Sequence, residues 1–361
     1  MNHNHSRLSI LCQFKLGHYL VDTCSFWVSY SIFTIMSLRQ IDFSKVLTDD
    51  LVYDHIMKSY DQLGRDWIVH QWSWMNNVYQ AFKDHYKYLI VISLVEKTLQ
   101  FYDQMNIQYS FDHFYSKSSL QIEKFSITEL CEKLQLPKET VRRKVLELEK
   151  LGVLKRIKKQ IIIDRSVFSQ VKPERQVKLT SKYIYLFSEI LNKDGVYSKK
   201  FDAEYIEQVI KRNFILVWRW FYRMQIPMII GYHEMFEDVS TFHIWGTVAM
   251  NQAFNYKKID DESNVHSLRP DYMSFNKALV EEEGATTGVS AMSLSDMTNI
   301  PRATVIRKCK YLIDQGYLKL NEKKQYVMTG FNISKVLPYQ RKVFKNKAKF
   351  LRKTLNLLTS S

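Results

Sequence analysis

The stretch "LPKETVRRKVLELEKLGVLKR", residues 136–156, decides the fold, because "IPRATVIRKCKYLIDQGYLKL", residues 300–320, repeats its pattern. Aligned without gaps, residues 126–155 and 290–319 are identical at eleven of thirty positions. The identical residues include proline, threonine, arginine and glycine, whereas two unrelated amphipathic helices would share only their apolar positions. The sequence therefore predicts an internal duplication.

Each copy predicts a helix, a turn, a second helix and a hairpin. Ser126, with a glutamate three residues later, has the spacing of a capping box and predicts a helix start. Residues 138–151 place their apolar side chains on one face, and Gly152 can supply the left-handed C-cap. Residues 153–163 carry β-branched side chains on both sides of a Lys-Lys tip, which predicts a hairpin. In the second copy, Asn299 occupies the turn, where asparagine tolerates left-handed backbone.

The segments upstream of the two copies have helical apolar periodicity and also match weakly. At a constant offset, Arg65, Phe82, Asp84, Ile90 and Tyr102 recur as Arg219, Phe236, Asp238, Ile244 and Tyr256. Thr48 is a plausible N-cap for the first helix. We therefore predict a mainly α-helical pseudo-dimer with two winged-helix DNA-binding domains, each with a small β-hairpin wing and a preceding helical bundle.

The predicted domain boundaries follow from these patterns. Residues 41–170 would form the first bundle and winged helix, and residues 183–335 the second. Residues 171–182 are predicted to be the linker between them, and residues 336–361 a basic C-terminal helix. Residues 1–40 are an uncertain N-terminal segment.

Within that N-terminal segment, Met36 is predicted to be the true start of translation. The longest uncharged stretch lies between Asp22 and Arg39, and it is short for a membrane span. The segment also lacks the small-residue cleavage site of a signal peptide.

The positive charge of the chain is concentrated in three short segments. The net charge of the whole chain is +15, and residues 137–160, 301–325 and 335–361 carry +6, +5 and +8 of it. The remaining residues sum to −4. A generally basic surface would spread this charge evenly, so its concentration indicates a polyanionic partner.

Several function classes are disfavoured by the sequence. The four cysteines include no CxxC pair, which argues against a zinc site or a disulfide framework and favours a cytoplasmic location. No glycine-rich phosphate loop, HExxH or GxSxG motif is present. We therefore expect no enzymatic activity, no cofactor, no metal and no membrane partner. Cys309 lies on the apolar face of its helix and is predicted to be packed rather than reactive.

The segments "PKETVRRKVLELEKLGVL" and "PRATVIRKCKYLIDQGYL" resemble the recognition helices of bacterial winged helix-turn-helix transcription regulators, especially the catabolite activator protein and GntR families. The resemblance implies a nucleoid-associated regulator that binds double-stranded DNA. Lys138 stands where these families have arginine, and Ala303 where they have glutamate. Nothing upstream resembles a cyclic-nucleotide barrel, so no effector is implied.

The resemblance and the helical periodicity together predict the residues that contact DNA. They are Lys138, Glu139, Thr140, Arg142, Arg143, Lys158, Lys159, Arg302, Ala303, Thr304, Arg307, Lys308, Lys323 and Lys324. Arginine and lysine can donate to guanine, glutamate can accept from cytosine, and threonine can bind a phosphate. Because Glu139 and Ala303 differ, we expect unequal half-sites.

Other interpretations remain open from the sequence. The chain could be a replication initiator of the plasmid type, which also uses paired winged helices, or an interaction scaffold whose winged helices no longer bind DNA. The dense tryptophans at residues 67–74 and 218–220 favour an interface between the halves over an aromatic ligand pocket. A small-molecule effector is left unidentified, and the oligomeric state is left as monomer or homodimer. The basic C-terminal segment is predicted either to pack on the bundle or to contact phosphates.

Overall fold

The computed structural model describes residues 46–158, 160–168, 172–263, 271–281 and 287–360. These residues form a mainly helical protein with two small antiparallel sheets. The predictions made for residues 1–40, including the start at Met36, and for Lys159 lie outside the described residues.

The first half of the chain contains long helices followed by a compact group of short elements. In chain order these are α1 (Asp49–Lys58), α2 (Tyr60–Phe82), α3 (His85–Gln104), α4 (Phe111–Phe114), β1 (Ser119–Ile122), α5 (Ile127–Leu134), α6 (Lys138–Lys150), β2 (Leu154–Ile157) and β3 (Gln160–Asp164). A 3₁₀ turn at Arg165–Val167 follows β3.

The second half has a similar order of elements, but it begins and ends with an additional long helix and, among the described residues, has no named strand at the position of β1. It contains α7 (Glu174–Lys193), α8 (Ala203–Arg212), α9 (Phe214–Phe236), α10 (Val239–Ser263), α11 (Tyr272–Glu281), α12 (Ala291–Thr298), α13 (Arg302–Asp314), β4 (Leu318–Leu320), β5 (Tyr326–Met328) and α14 (Phe331–Ser360). The helices α8, α9 and α10 begin 154 residues after α1, α2 and α3. This is the offset at which the weak upstream matches occur.

Local sequence explains where the helices begin and break. Thr48 accepts a hydrogen bond from the Leu51 amide at 3.3 Å, which confirms the predicted N-cap of α1. The amphipathic face that runs from Leu51 toward residue 63 is divided between two helices, because the chain leaves helical geometry at Ser59. At the corresponding ends of α2 and α9, Lys83 and Glu237 both adopt left-handed backbone, with φ of 53° and 59°.

The long helices of the two halves pack on one another and on α7 and α14. Helix α2 packs on α10 and α7, and in the same way α9 packs on α3 and α14. Helix α1 packs on α14, just as α8 packs on α7. Each contact in this set therefore has a counterpart in which α1, α2 and α3 are exchanged with α8, α9 and α10, and α7 is exchanged with α14.

Aromatic side chains fill the space between these helices. Trp67 and Trp218 are almost fully buried, and Trp218 stacks on Phe221 with ring centroids 4.6 Å apart. Buried aromatic rings dominate the energetics of such contacts. Both tryptophans therefore lie in the interior, and their role between the halves stays a prediction.

The predicted linker is wrong from Glu174 onward, because residues 174–182 form the first half of α7. Val177, Ile184 and Leu191 are fully buried and recur every seven residues, which is the spacing of one helical face. Pro173 marks the helix start rather than a flexible connection, since proline is favoured at helix N-termini.

The basic C-terminal segment is helical, and α14 begins five residues before the predicted boundary of 336. Val343, Leu351, Leu355 and Leu358 are buried along one face, which packs on α9 and α1. The prediction that this segment packs on the helical bundle is confirmed for this face of the helix. Phosphate contact by its exposed lysines stays a prediction.

Candidate nucleic-acid interface

Two groups of short elements carry the predicted site, and we name them the first module (residues 119–165) and the second module (residues 289–330). In the first, β3 lies between β1 and β2 in an antiparallel sheet. In the second, β4 pairs with β5, and Val289 forms an isolated bridge to Tyr326. The hairpin of each module is confirmed. Strand β1 was missed, because only its pairing with β3 reveals it.

The first helix of each module begins and ends in the same way in both modules. Ser126 Oγ accepts from the Glu129 amide at 3.0 Å, and Ser290 Oγ accepts from the Ser293 amide at 3.1 Å. The first helix ends in left-handed backbone at Gln135 in one module and at Asn299 in the other. The predicted left-handed turn at Asn299 is therefore confirmed.

The second helix of each module exposes and buries the same positions. From residue 137 to 156 and from 301 to 320, the order of buried, half-buried and exposed residues is identical. The buried residues are Val141, Val145 and Leu148 in α6, and Val305, Cys309 and Leu312 in α13. Burial raises the pKa of the Cys309 thiol to about 12, so the thiol is packed and protonated at neutral pH, as predicted.

Most of the predicted DNA-contacting side chains lie on the exposed surface of the modules. The exposed ones are Lys138, Glu139, Arg142, Arg143, Lys158, Arg302, Ala303, Arg307, Lys323 and Lys324. Thr140 and Thr304 are half-buried near the start of their helices. Lys158 and Lys324 adopt left-handed backbone at the hairpin tips.

Lys308 requires a correction, because its ammonium group points toward the helical scaffold. It forms an ion pair with Asp238, in the turn between α9 and α10, and donates to Thr241 Oγ1 at 3.1 Å. Burial alone would raise the pKa of the Asp238 carboxyl, but the hydrogen bond and charge of Lys308 lower it. Lys308 therefore positions α13 and does not belong to the outer surface.

The first module has the corresponding ion pair. Lys144 Nζ lies 2.7 Å from Asp84 Oδ2, in the turn between α2 and α3, and it also contacts Glu147. Burial would lower the pKa of Lys144, but the hydrogen bonds to both carboxylates raise it. In the sequence comparison of the two halves, Lys144 matches Lys308 and Asp84 matches Asp238. These two matches together were a sequence signal from which this contact could have been predicted.

The two modules differ in how their exposed cations are paired. In the first, Arg156 Nε lies 2.9 Å from Glu149 Oε1, and Arg143 Nε lies 3.9 Å from Glu147 Oε1. In the second, Arg302 and Arg307 form no ion pair within the described part of the chain. Exposed pairs of this kind contribute little to stability, so the cations of both modules remain available to a polyanion.

The surroundings of the modules show neither a metal centre nor a membrane segment within the described ranges. No group of three histidine, cysteine, aspartate or glutamate side chains there could hold a metal ion. None of the described helices combines the length and apolar character needed to span a bilayer. No protein-family model, no curated protein and no solved structure matches this chain.

Proposed function

We propose that this protein binds double-stranded DNA sequence-specifically and regulates transcription as a single-chain pseudo-dimer of two winged helices. The observation that carries the proposal is the shared exposure pattern of α6 and α13. The apolar face of each helix holds it on its module, and its N-terminal cations remain outside. A recognition helix must present its N-terminal residues to the major groove in this way.

The chemistry of the exposed side chains supports base reading. Arg143 and Arg307 occupy matching positions, and an arginine can donate two hydrogen bonds to guanine. Thr140 and Thr304 lie near the helix starts, where a hydroxyl can bind a phosphate. The tip lysine Lys158 would contact the flanking backbone.

Unequal half-sites follow from the difference between Glu139 and Ala303. Both side chains are exposed at the same position of their helices. Glutamate can accept a hydrogen bond from the cytosine amino group, whereas alanine offers only apolar contact to a thymine methyl. The reciprocal packing of the halves supports a pseudo-dimer, which would bring both helices to one DNA duplex.

The test is DNA binding by the native chain and by a double variant, Arg143→Ala with Arg307→Ala. Duplexes are selected from a random pool, and affinity is measured by fluorescence anisotropy at two salt concentrations. Each arginine would contribute about 1–3 kcal/mol, so the double variant should bind the selected site at least about 30-fold more weakly. Affinity of the native chain should fall steeply with salt, because phosphate contacts release counterions.

The matched control is Lys199→Ala with Lys200→Ala, which removes two exposed positive charges from the segment between α7 and α8. This control should retain affinity for the selected site. Salt-independent binding, or equal affinities for the arginine double variant and the control, would contradict the proposal and favour the scaffold alternative. A perfectly palindromic selected site would contradict unequal half-sites. If the bound genomic DNA maps to an iterated origin rather than to promoters, the proposed function would be replication initiation instead of transcription regulation.

A further inference from the structure

A cavity of about 310 Å³ lies between the first module and the helical scaffold. Its walls come from α2, α3, α9 and the segment that follows β3. Aromatic rings form much of the lining, among them Trp74, Tyr88, Trp218 and Phe221. Cavities of roughly 300 Å³ and above with apolar walls and a few polar groups are typical of small-molecule sites.

Arg165 is the polar residue that distinguishes this cavity. The side chain lines the cavity and is 7% exposed, yet no acidic residue is among the lining residues. Its Nη1 donates to the carbonyl oxygens of Phe114 and Lys117 at 2.6 and 3.2 Å. Its Nη2 is buried without a hydrogen-bond partner among the described residues. A buried cation without a counter-ion is costly, so the site is complementary to an anion.

Further groups around Arg165 match an aromatic anion. The guanidinium carbon lies 4.3 Å from the centroid of the Phe114 ring and 4.7 Å from that of Tyr115. Gln225 accepts from Tyr88, but its Nε2 donor is buried without a partner within the described residues. The exposed cation Arg175 also lines the cavity. Positive charge therefore lies beside flat apolar walls.

A second cavity, lined by residues at corresponding positions, lacks these features. It measures about 60 Å³, and Trp245 lines it where Val91 lines the larger cavity. Gln71, which corresponds to Gln225, donates from Nε2 to Tyr232 at 2.7 Å. The counterpart of Tyr232 in the larger cavity is Val78, which offers no acceptor.

The charge also differs between the two cavities. Asp164 is the last residue of β3 and Thr329 directly follows β5, and their amides donate to the matching carbonyls of Val153 and Tyr317. The next residue is Arg165 in the first module and Gly330 in the second. The bulky Trp245, the satisfied Gln71 and the missing arginine leave the second cavity with neither room nor charge for an anionic ligand.

We infer that the larger cavity is a binding site for one small aromatic anion, an aryl carboxylate or sulfonate, whose charged group is held by Arg165. The rings of the ligand would lie against Tyr88, Tyr115 and Phe168, the half-buried aromatic residues of the lining. Because its walls come from both the first module and the scaffold, the ligand would bridge the two. The inference does not depend on DNA binding, and separate experiments test it.

Two fluorescent dyes with the same ring system provide the probes. 1-Anilinonaphthalene-8-sulfonate carries a negative charge, and N-phenyl-1-naphthylamine does not. The native chain should bind one anionic dye per molecule and prefer it over the neutral dye by about tenfold or more, since hydrogen bonds to charged groups are the stronger ones. Similar affinity for both dyes, or several equivalent anionic dyes per chain, would overturn the inference.

Variants locate the dye in the cavity. Arg165→Met should lower affinity for the anionic dye about tenfold or more and change affinity for the neutral dye less than about threefold. Arg156→Met, an exposed arginine of the same module outside the cavity lining, should change neither. Val91→Trp places at this position the residue found in the smaller cavity and should abolish binding of both dyes.

Because Arg165→Met could disturb folding, circular dichroism accompanies each titration. If that variant does not fold, the dye preference of the native chain and the loss of binding in Val91→Trp decide the question. Anionic dye that still binds Val91→Trp with native affinity would place the site elsewhere and overturn the inference.

Discussion

The two modules have the same outer surface but different surroundings underneath. Their second helices expose the same positions, and Lys144 and Lys308 both pair with the turn of the scaffold that holds them. Beneath them, one half has a cavity of about 310 Å³ lined in part by Arg165, whereas the other has a cavity of about 60 Å³, and Gly330 occupies the position that corresponds to Arg165. The comparison teaches that the contacts that orient the helices are present in both halves, whereas the residues around the two cavities differ.

The largest expected effect on stability concerns the ion pair that both halves have between a module and the scaffold. Asp84→Ala and Asp238→Ala each remove an ion pair that holds a module on the scaffold. Each also removes a cap, because Asp84 accepts from the amides of Tyr86 and Lys87, and Asp238 accepts from the amide of Ser240. We expect each substitution to cost about 3 kcal/mol, the sum of a lost cap and a partly buried ion pair. Denaturant unfolding would measure both values. A cost below about 0.5 kcal/mol for either, the level typical of ordinary surface substitutions, would show that this ion pair does not hold the module in place.

A buried lysine sharpens the difference between the halves. Helices α7 and α14 share an order of buried and exposed residues, and in this alignment Thr180 and Lys347 occupy corresponding positions. Lys347 is fully buried, its ammonium lies 4.1 Å from the centroid of a Trp67 ring, and it donates to Tyr183 Oη at 2.8 Å. Burial lowers the pKa of Lys347 well below its usual value.

Replacing this lysine should stabilise the protein. Between the lowered native pKa and the unfolded value of about 10.4, the unfolded chain binds a proton that the native chain lacks, so native stability rises with pH. Lys347→Met should remove this rise and add about 1–3 kcal/mol near neutral pH. Unfolding free energies across this pH range are compared with those of Lys349→Met, an exposed control on the same helix. Loss of stability in Lys347→Met would contradict the expectation.

A smaller loss of stability, equal in the two halves, is expected for substitution of the glycines that follow α6 and α13. Gly152 and Gly316 have φ of 74° and 75°, a left-handed conformation that disfavours any Cβ. Gly152→Ala and Gly316→Ala should each cost about 1–2 kcal/mol in thermal or denaturant unfolding. Costs that differ by more than about 1 kcal/mol, the lower bound of the expected effect, would show that the two helix ends are not equivalent.

The smallest expected effect distinguishes the two outer surfaces in DNA binding. Glu139→Ala should weaken binding to a cytosine-containing half-site by about 1 kcal/mol, and Ala303→Glu should create that preference in the other half-site. Competition between duplexes that differ at one base pair measures both. Unchanged base preference in both variants would remove the basis for unequal half-sites.

Much of each module could be predicted from sequence because its signals are local. The caps at Ser126 and Ser290, the left-handed turn at Asn299 and the outward direction of Arg143 depend on neighbouring residues and on helical periodicity. The false linker and the missed strand β1 lacked such signals. Helix α7 resembled a linker because proline and charges opened it, and β1 is defined only by pairing with β3.

The sequence by itself determined the two basic helices, their caps and their exposed faces, because a helix of known period assigns every residue to a side. Only the tertiary structure decided that α2 packs on α10 and α9 on α3, that Lys308 points inward, and that Arg165 lies beside a cavity. These features depend on residues far apart in the chain that meet only after folding. Their position is set by the packing of whole helices, which no local pattern encodes.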